Sequence, residues 1–332
     1  MSGLTIATLA LGFVWWWGPR TAGRAAVDAP ASAAVALGVQ PRPLVDFDGD
    51  NISDYVVKRA SGGADTWYIL NSQGLSGVQW GLSGSDNMTP GDYDGDGKWD
   101  LGVWRQSGAR TFYVRRSTDL GLTAVQFGQG GDQPRVVADY DGDGRTDFAV
   151  VRGAGDGGVL TWYLLQSTAG FAGPVWGLDG DVIAPGDYDG DAKTDLAIRR
   201  PSGMTSTYYI SRSTGGLQAI PWGLASDTGV SSDYDGDNRT DAAVVRNQSG
   251  TFFWYIRRSG DLGLSAYAFG TSLDILTPAD YDGDGKTDIA VFRRSMTPGD
   301  TGFWVLRSTT GAAVFQPFGV FADTPLASFA VH

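Results

Sequence analysis

Four aspartates at positions 1, 3, 5 and 9 of a nine-residue stretch recur six times along the 332-residue chain. The sets are Asp46, Asp48, Asp50 and Asp54; Asp92, Asp94, Asp96 and Asp100; Asp139, Asp141, Asp143 and Asp147; Asp187, Asp189, Asp191 and Asp195; Asp233, Asp235, Asp237 and Asp241; and Asp280, Asp282, Asp284 and Asp288. Carboxylates this close repel one another unless something cancels their charge. A hard divalent cation with several oxygen ligands is the natural partner, and calcium fits best. Position 7 would add a backbone carbonyl, from Ile52, Lys98, Arg145, Lys193, Arg239 or Lys286. An EF-hand loop closes on a bidentate Glu at position 12, and this chain has no Glu, so the spacing suits a shorter loop joining two strands. A single Asp-rich stretch would read as an ordinary turn, but six copies with the same four carboxylates argue for up to six calcium ions. Position 6 needs a tight backbone and holds Gly97, Gly144, Gly285, Asn51 and Asn238, but Ala192 in the fourth copy. The Ala192 loop is therefore expected to bind calcium most weakly.

The charge balance agrees with that chemistry. The six loops hold 24 of the 37 acidic residues, so a chain of net charge −12 is basic outside them. The acidity reads as metal ligation rather than a disordered acidic tail, and it offers nothing to nucleic acid. No Cys is present, which removes disulfides and thiolate metal sites. The one His is His332, so His-based triads and His-ligated zinc sites are missing too. Catalysis would have to rest on carboxylates already assigned to metal, or on an Arg, Lys or Tyr base that the sequence does not locate.

The elements that must hold the loops repeat with them. First Asp to first Asp, the intervals are 46, 47, 48, 46 and 47 residues. Each unit continues with a short strand (YVVKR, LGVWR, FAVVR, LAIRR, AAVVR, IAVFR), a polar turn and an aromatic strand such as TWYIL at Thr66–Leu70. A third strand ends in an aromatic and Gly, and a turn with Asp86, Asp132, Asp181, Asp227, Asp274 or Asp323 leads to the strand that opens the next loop. β-branched and aromatic enrichment between glycine-rich turns argues an all-β chain. Four strands per 47-residue unit is the arithmetic of a β-propeller blade. Six units favour six blades. The closing FADTPLASFAVH reads as one more innermost strand, and if residues 4–38 supplied three partners both termini would share a seventh blade.

The phrase Trp/Phe-Gly, a turn, then T-P-G/A-D-Y-D-G-D-G-K-T-D resembles the FG-GAP/VCBS repeat of integrin α-subunit propellers, fungal propeller lectins and many bacterial surface proteins. The resemblance covers roughly residues 43–332. It implies a propeller whose loops between the first and second strands of each blade bind calcium at the positions named above, and it implies binding of glycans or proteins at a cell surface. Ala192 is the departure from the pattern.

Residues 1–24 contain an apolar run, Leu4 to Trp17, too short for a comfortable membrane span and suited to an export signal or short anchor. The alternative is a strand of the fold, since Trp15–Gly23 lines up with Trp162–Gly170. Residues 25–42 are an Ala- and Pro-rich lead-in. An Arg five residues past each loop (Arg59, Arg105, Arg152, Arg200, Arg246, Arg293) suggests ion pairing and packing at the strand end, or else an anion-binding ring. Trp99, on a loop at position 8, and Trp104, in a strand where other units have other residues, are candidate ligand contacts. Most other Trp recur as blade packing. The expectation is a secreted or cell-surface, monomeric calcium-binding module for glycans or proteins. Its rivals are a polysaccharide lyase or hydrolase on a propeller scaffold and a purely structural spacer.

Overall fold

Period-2 alternation sets the blades. The aromatic strand Ala64–Asn71 buries every second side chain, and its counterpart Thr205–Ser211 does the same. The strand before it is buried along most of its length, as in Leu101–Arg105 and Ala242–Gln248, because both of its faces meet neighbouring blades. The outer strand alternates exposed and half-buried residues, as in Leu122–Gln126, because it forms the rim.

The computed structural model describes residues 45–326. They form six antiparallel four-stranded blades in a ring, without helices among the described residues. Blade 2 orders Asp86–Met88, Leu101–Arg105, Thr111–Arg115 and Leu122–Gln126 from the innermost strand outward. Blade 4 has Val182–Ile183, Leu196–Ser202, Thr205–Ser211 and Leu217–Leu224. Blade 5 has Thr228–Gly229, Ala242–Gln248, Thr251–Arg257 and Leu264–Thr271. Blade 6 has Ile275–Leu276, Ile289–Arg293, Gly302–Leu306 and Ala313–Pro317. Blade 3 is irregular. Its innermost strand shrinks to the bridge Gln133↔Val151, and its outer strand splits into Gly170–Ala172 and Val175–Leu178 around Pro174, which has no N–H to give a ladder.

Blade 1 decides the blade number. Thr324–Pro325 pairs with Tyr55–Ser61, Val57 opposite Pro325, and Leu326 donates its N–H to the Val56 carbonyl at 2.9 Å. The C-terminal strand thus completes the first blade instead of starting a seventh, and the seven-bladed alternative is corrected. An unpaired edge of blade 1 is the physical reason, since its backbone groups need partners. The expectations for residues 1–24 and 25–42 lie outside the described residues.

Apolar packing follows the ring. Six buried clusters each straddle one junction between blades. Val136, Trp162 and Ile198 join blades 3 and 4, and Val57, Phe292 and Phe303 join blades 6 and 1. Each blade is therefore held by two neighbours, which leaves the loops at one end of the innermost and second strands as a continuous face.

Candidate metal centre

Each nine-residue stretch joins an innermost strand to a second strand. In blades 2 to 6 it is pinned at its base by a bridge between the residue before position 1 and position 9, as in Gly91↔Asp100 and Ala279↔Asp288. Position 1 folds the loop around itself. One of its carboxylate oxygens accepts the N–H of the glycine at position 4, at 2.6–2.7 Å in all six copies. The other accepts the N–H of position 6, at 2.7–3.0 Å. That second bond demands a left-handed backbone, and position 6 has φ between 62 and 87° throughout, 67° at Ala192. Ala192 pays the conformational cost that glycine avoids. Position 5 accepts the N–H of position 7, from Ile52, Lys98, Arg145, Lys193, Arg239 or Lys286, at 2.9–3.0 Å.

Position 9 ties the loop to the rest of the blade. One oxygen of Asp54, Asp100, Asp147, Asp195, Asp241 or Asp288 accepts the N–H of position 2 at 2.8–3.0 Å. In blades 2 to 6 the other oxygen accepts the N–H of a serine, Ser117, Ser167, Ser213, Ser259 or Ser308, in the hairpin between third and outer strands. That hairpin is a functional element the loop motif alone did not reveal. Its hydroxyls also cap the loop carboxylates: Ser72 donates to Asp48 and Thr118 to Asp94, each at 2.6 Å, and Thr214 donates to Asp189 and Thr309 to Asp282. The signal in the sequence is a Ser-Thr pair recurring at the same place in four units, with Ser259-Gly260 in blade 5.

The carboxylates converge. In the first two loops, oxygens from positions 1, 3 and 5 lie within 4.8 Å of one another; in the third to fifth, positions 1, 3 and 9 do so. Desolvation by burial, reinforced by these like charges, outweighs the backbone N–H groups and raises the position-9 carboxyls. Asp54 is pushed to about 8, Asp147, Asp241 and Asp288 to about 7, and Asp100 and Asp195 to about 6. Burial raises position 1 as well, at Asp46, Asp92, Asp139 and Asp187, and to about 6 at Asp233.

Whether a cation fits can be judged from the position-3 side chains. One oxygen each of Asp94, Asp141, Asp189, Asp235 and Asp282 is buried with no hydrogen-bond partner. Buried carboxylate oxygens are rarely left so, and the same atom is left in five equivalent loops. The donor set is all oxygen, which suits a hard divalent ion. The residues present fit the group.

The six loops are also joined to each other. The position-8 N–H of each loop donates to the position-1 carbonyl of the loop before it, from Trp99→Asp46 at 2.7 Å and Thr146→Asp92 at 2.6 Å round to Ser53→Asp280 at 2.7 Å. The position-7 side chain lies over the position-4 glycine of the same neighbour. A Cβ on Gly49 would sit 3.2 Å from the Lys98 stem, and one on Gly142 3.0 Å from that of Lys193.

Residues 233–291 match the FG-GAP-like repeat. This stretch runs from the loop of blade 5 through the loop of blade 6 into its second strand. The six-bladed ring fits an FG-GAP-like repeat propeller. No curated protein matches the chain.

Two further sets of residues now have their places in the propeller. The six strand-end arginines are bound within their blades. Arg59, Arg105, Arg152, Arg200, Arg246 and Arg293 each make paired bonds to Asp323, Asp86, Asp132, Asp181, Asp227 and Asp274, at 2.7–2.9 Å. Each guanidinium also lies over an aromatic ring, such as Arg152 over Tyr163 at 4.3 Å. Their charge is already neutralised, so the ring is a set of clamps rather than an anion surface. Trp104 is corrected as a ligand contact: it is 2% exposed and its indole N–H donates to the Phe127 carbonyl at 2.9 Å. In blades 1, 3 and 5 that bond comes from Trp67, Trp162 and Trp254 of the third strand. Blade 2 has Phe112 there, and Trp104, its cross-strand partner, supplies the donor. Trp99 is half-buried and meets Phe47 edge-on, with ring centroids 6.1 Å apart.

Proposed function

We propose that this propeller is an exported calcium-binding module that holds ligands, glycans or proteins, at the cell surface. The observation that supports it most is the set of five equivalent buried carboxylate oxygens without a partner, at Asp94, Asp141, Asp189, Asp235 and Asp282. In this reading the aspartates at positions 1, 3, 5 and 9 hold the ion. The ion supplies positive charge that cancels their mutual repulsion and fixes the loop beneath the Ser-Thr hairpin. Because neighbouring loops share backbone bonds, ordering six of them stiffens one face of the disc. A stiff face of loops and hairpins is suited to recognition, since positioned groups lose less entropy on binding. Calcium sites outside the cell are typically weak, with Kd of about 10⁻⁴–10⁻³ M, which matches short loops without a closing Glu, one of the six strained at Ala192. The apolar segment Leu4 to Trp17 supports export.

The test is an array of glycans and surface proteins probed with the full chain in millimolar calcium and again in chelator. Binding that calcium supports and chelator removes is expected. An array that stays blank in both conditions would leave only a spacer role, and turnover of any polysaccharide on it would favour the enzyme.

A further inference from the structure

The junction between blades 4 and 5 departs from the repeat. A cavity of about 390 Å³ opens there on the face that carries the acidic loops, and four guanidinium groups line it: Arg212, Arg239, Arg257 and Arg258. Arg258 is held by Asp261 through two bonds of 2.8 Å. The other three make no ion pair among the described residues, and the Nε of Arg212 is buried with no hydrogen-bond partner. In a chain of net charge −12, three unpaired cations gathered at one opening are a local reversal of sign. Their mutual repulsion is unfavourable until an anion enters.

The register of the blades shows that this is not a property of the scaffold. Arg257 stands opposite Ala242, as Leu165 stands opposite Phe148 in blade 3 and Leu70 opposite Tyr55 in blade 1. Taking the four equivalent positions at the junction of blades 2 and 3 gives Arg116, Arg145, Leu165 and Gln166; at that of blades 6 and 1 it gives Arg307, Ile52, Leu70 and Asn71. Only blades 4 and 5 bring four arginines together. The fold therefore accepts Leu and Gln at these positions, and structure alone does not require the arginines.

We propose that this opening is a subsite for an acidic saccharide, one carrying carboxylate or sulfate groups. The inference deepens the binding-module reading and rests on it. Planar guanidinium forks match carboxylate and sulfate oxygens two at a time, as an ammonium does not. Gln218 offers a neutral amide for ring hydroxyls, the Thr214 and Ser259 hydroxyls, which donate to Asp189 and Asp237, keep lone pairs that accept, and Ile220 and Ala242 give an apolar wall. The volume lies near the lower bound of small-ligand pockets, enough for one or two sugar rings. A peptide would need an apolar anchor pocket, and the one large apolar side chain at the rim, Leu262, is 67% exposed. Among the described residues Asp189 is the one carboxylate in the lining, and it belongs to the blade-4 loop whose charge the proposed ion cancels.

The experiment is calorimetric titration of the full chain in calcium with four probes: a tetragalacturonate, a heparin-derived tetrasaccharide, chitotetraose and an oligoglutamate peptide. Two variants accompany it, the double change Arg212→Gln with Arg257→Leu, which installs the residues of blade 3, and the exposed single change Arg239→Ala. At least one acidic saccharide should bind, more weakly as salt rises, and the double variant should lose roughly ten-fold or more in affinity. The two acidic probes separate carboxylate from sulfate. Chitotetraose binding as tightly as the acidic probes, a preference for the peptide, no acidic saccharide binding at all, or both variants binding like the wild type would each overturn the subsite. Failure here and failure of the wider reading are distinguishable. Neutral glycans or proteins captured equally by wild type and variants would keep the module and remove this site. Acidic-saccharide binding that persists in chelator would keep the site and remove the calcium dependence.

Discussion

Ala192→Gly is expected to stabilise the propeller, and Gly144→Ala to destabilise it by a similar amount. Both residues occupy loop position 6, with φ of 67° and 84°, and both donate their N–H to the position-1 carboxylate, at 2.8 Å and 2.7 Å. A Cβ added at Gly144 would meet nothing within 4 Å. The substitutions therefore change backbone conformational energy and little else. A left-handed L-residue costs about 1–2 kcal/mol, and the extra freedom of glycine in the unfolded chain returns about 0.4–1 kcal/mol of that. The net effect is about 0.5–1 kcal/mol per site, or roughly 1–4 °C for a large domain. Thermal melts in chelator read the backbone term alone. Calcium titrations then read whether the relieved loop binds more tightly, as expected if Ala192 makes its site the weakest. Melting temperatures unchanged in both variants, or shifted with both signs reversed, would refute the strain argument.

The raised carboxyls give a pH dependence whose sign depends on the ion. A carboxyl raised in the folded state contributes stability that is complete below its unfolded value and lost as pH rises through the folded one. With Asp54 near 8, Asp147 and Asp241 near 7 and Asp100 near 6, the chelated protein should gain stability as pH falls from about 8 to about 5. In saturating calcium, which needs the ionised forms, acidification over the same range should lower the melting temperature instead; melts in the two buffers across pH check both signs. Asp323→Ala removes two bonds to Arg59, of 2.7 and 2.8 Å, from the strand that closes the ring. Because Arg59 stays one-third exposed, the lost clamp should cost about 2 kcal/mol by denaturant unfolding.

How much the sequence disclosed follows from the range of each interaction. Loop positions, strand order and the aromatic strands were legible because the repeat displays them six times and because each depends on neighbours within one unit. The partner of each strand-end Arg was half legible: Asp86 and its equivalents recur in the sequence as turn residues, and only the blade register brings them to Arg105 and its equivalents. The use of Thr324–Pro325 was not legible, since the same residues could open a new blade or close the first. Trp104 misled because its surroundings come from Phe112 across the sheet and Phe127 beyond. The bond from Thr146 to Asp92 and the Lys193 stem over Gly142 depend on ring curvature, which no single unit encodes. The arginines at the junction of blades 4 and 5 come from three separate segments, and only packing makes them one group.

Equilibrium dialysis with labelled calcium, run beside a chelator melt, counts the ions that the aspartate loops hold. Each site at free calcium ten-fold above its Kd would add about 1.4 kcal/mol to stability. The number of ions held per chain should climb toward six at millimolar free calcium, with one site lagging in the wild type and rejoining the others in Ala192→Gly. Chelation should lower the melting temperature. A chain that retains no calcium, and melts at the same temperature with and without chelator, would contradict it.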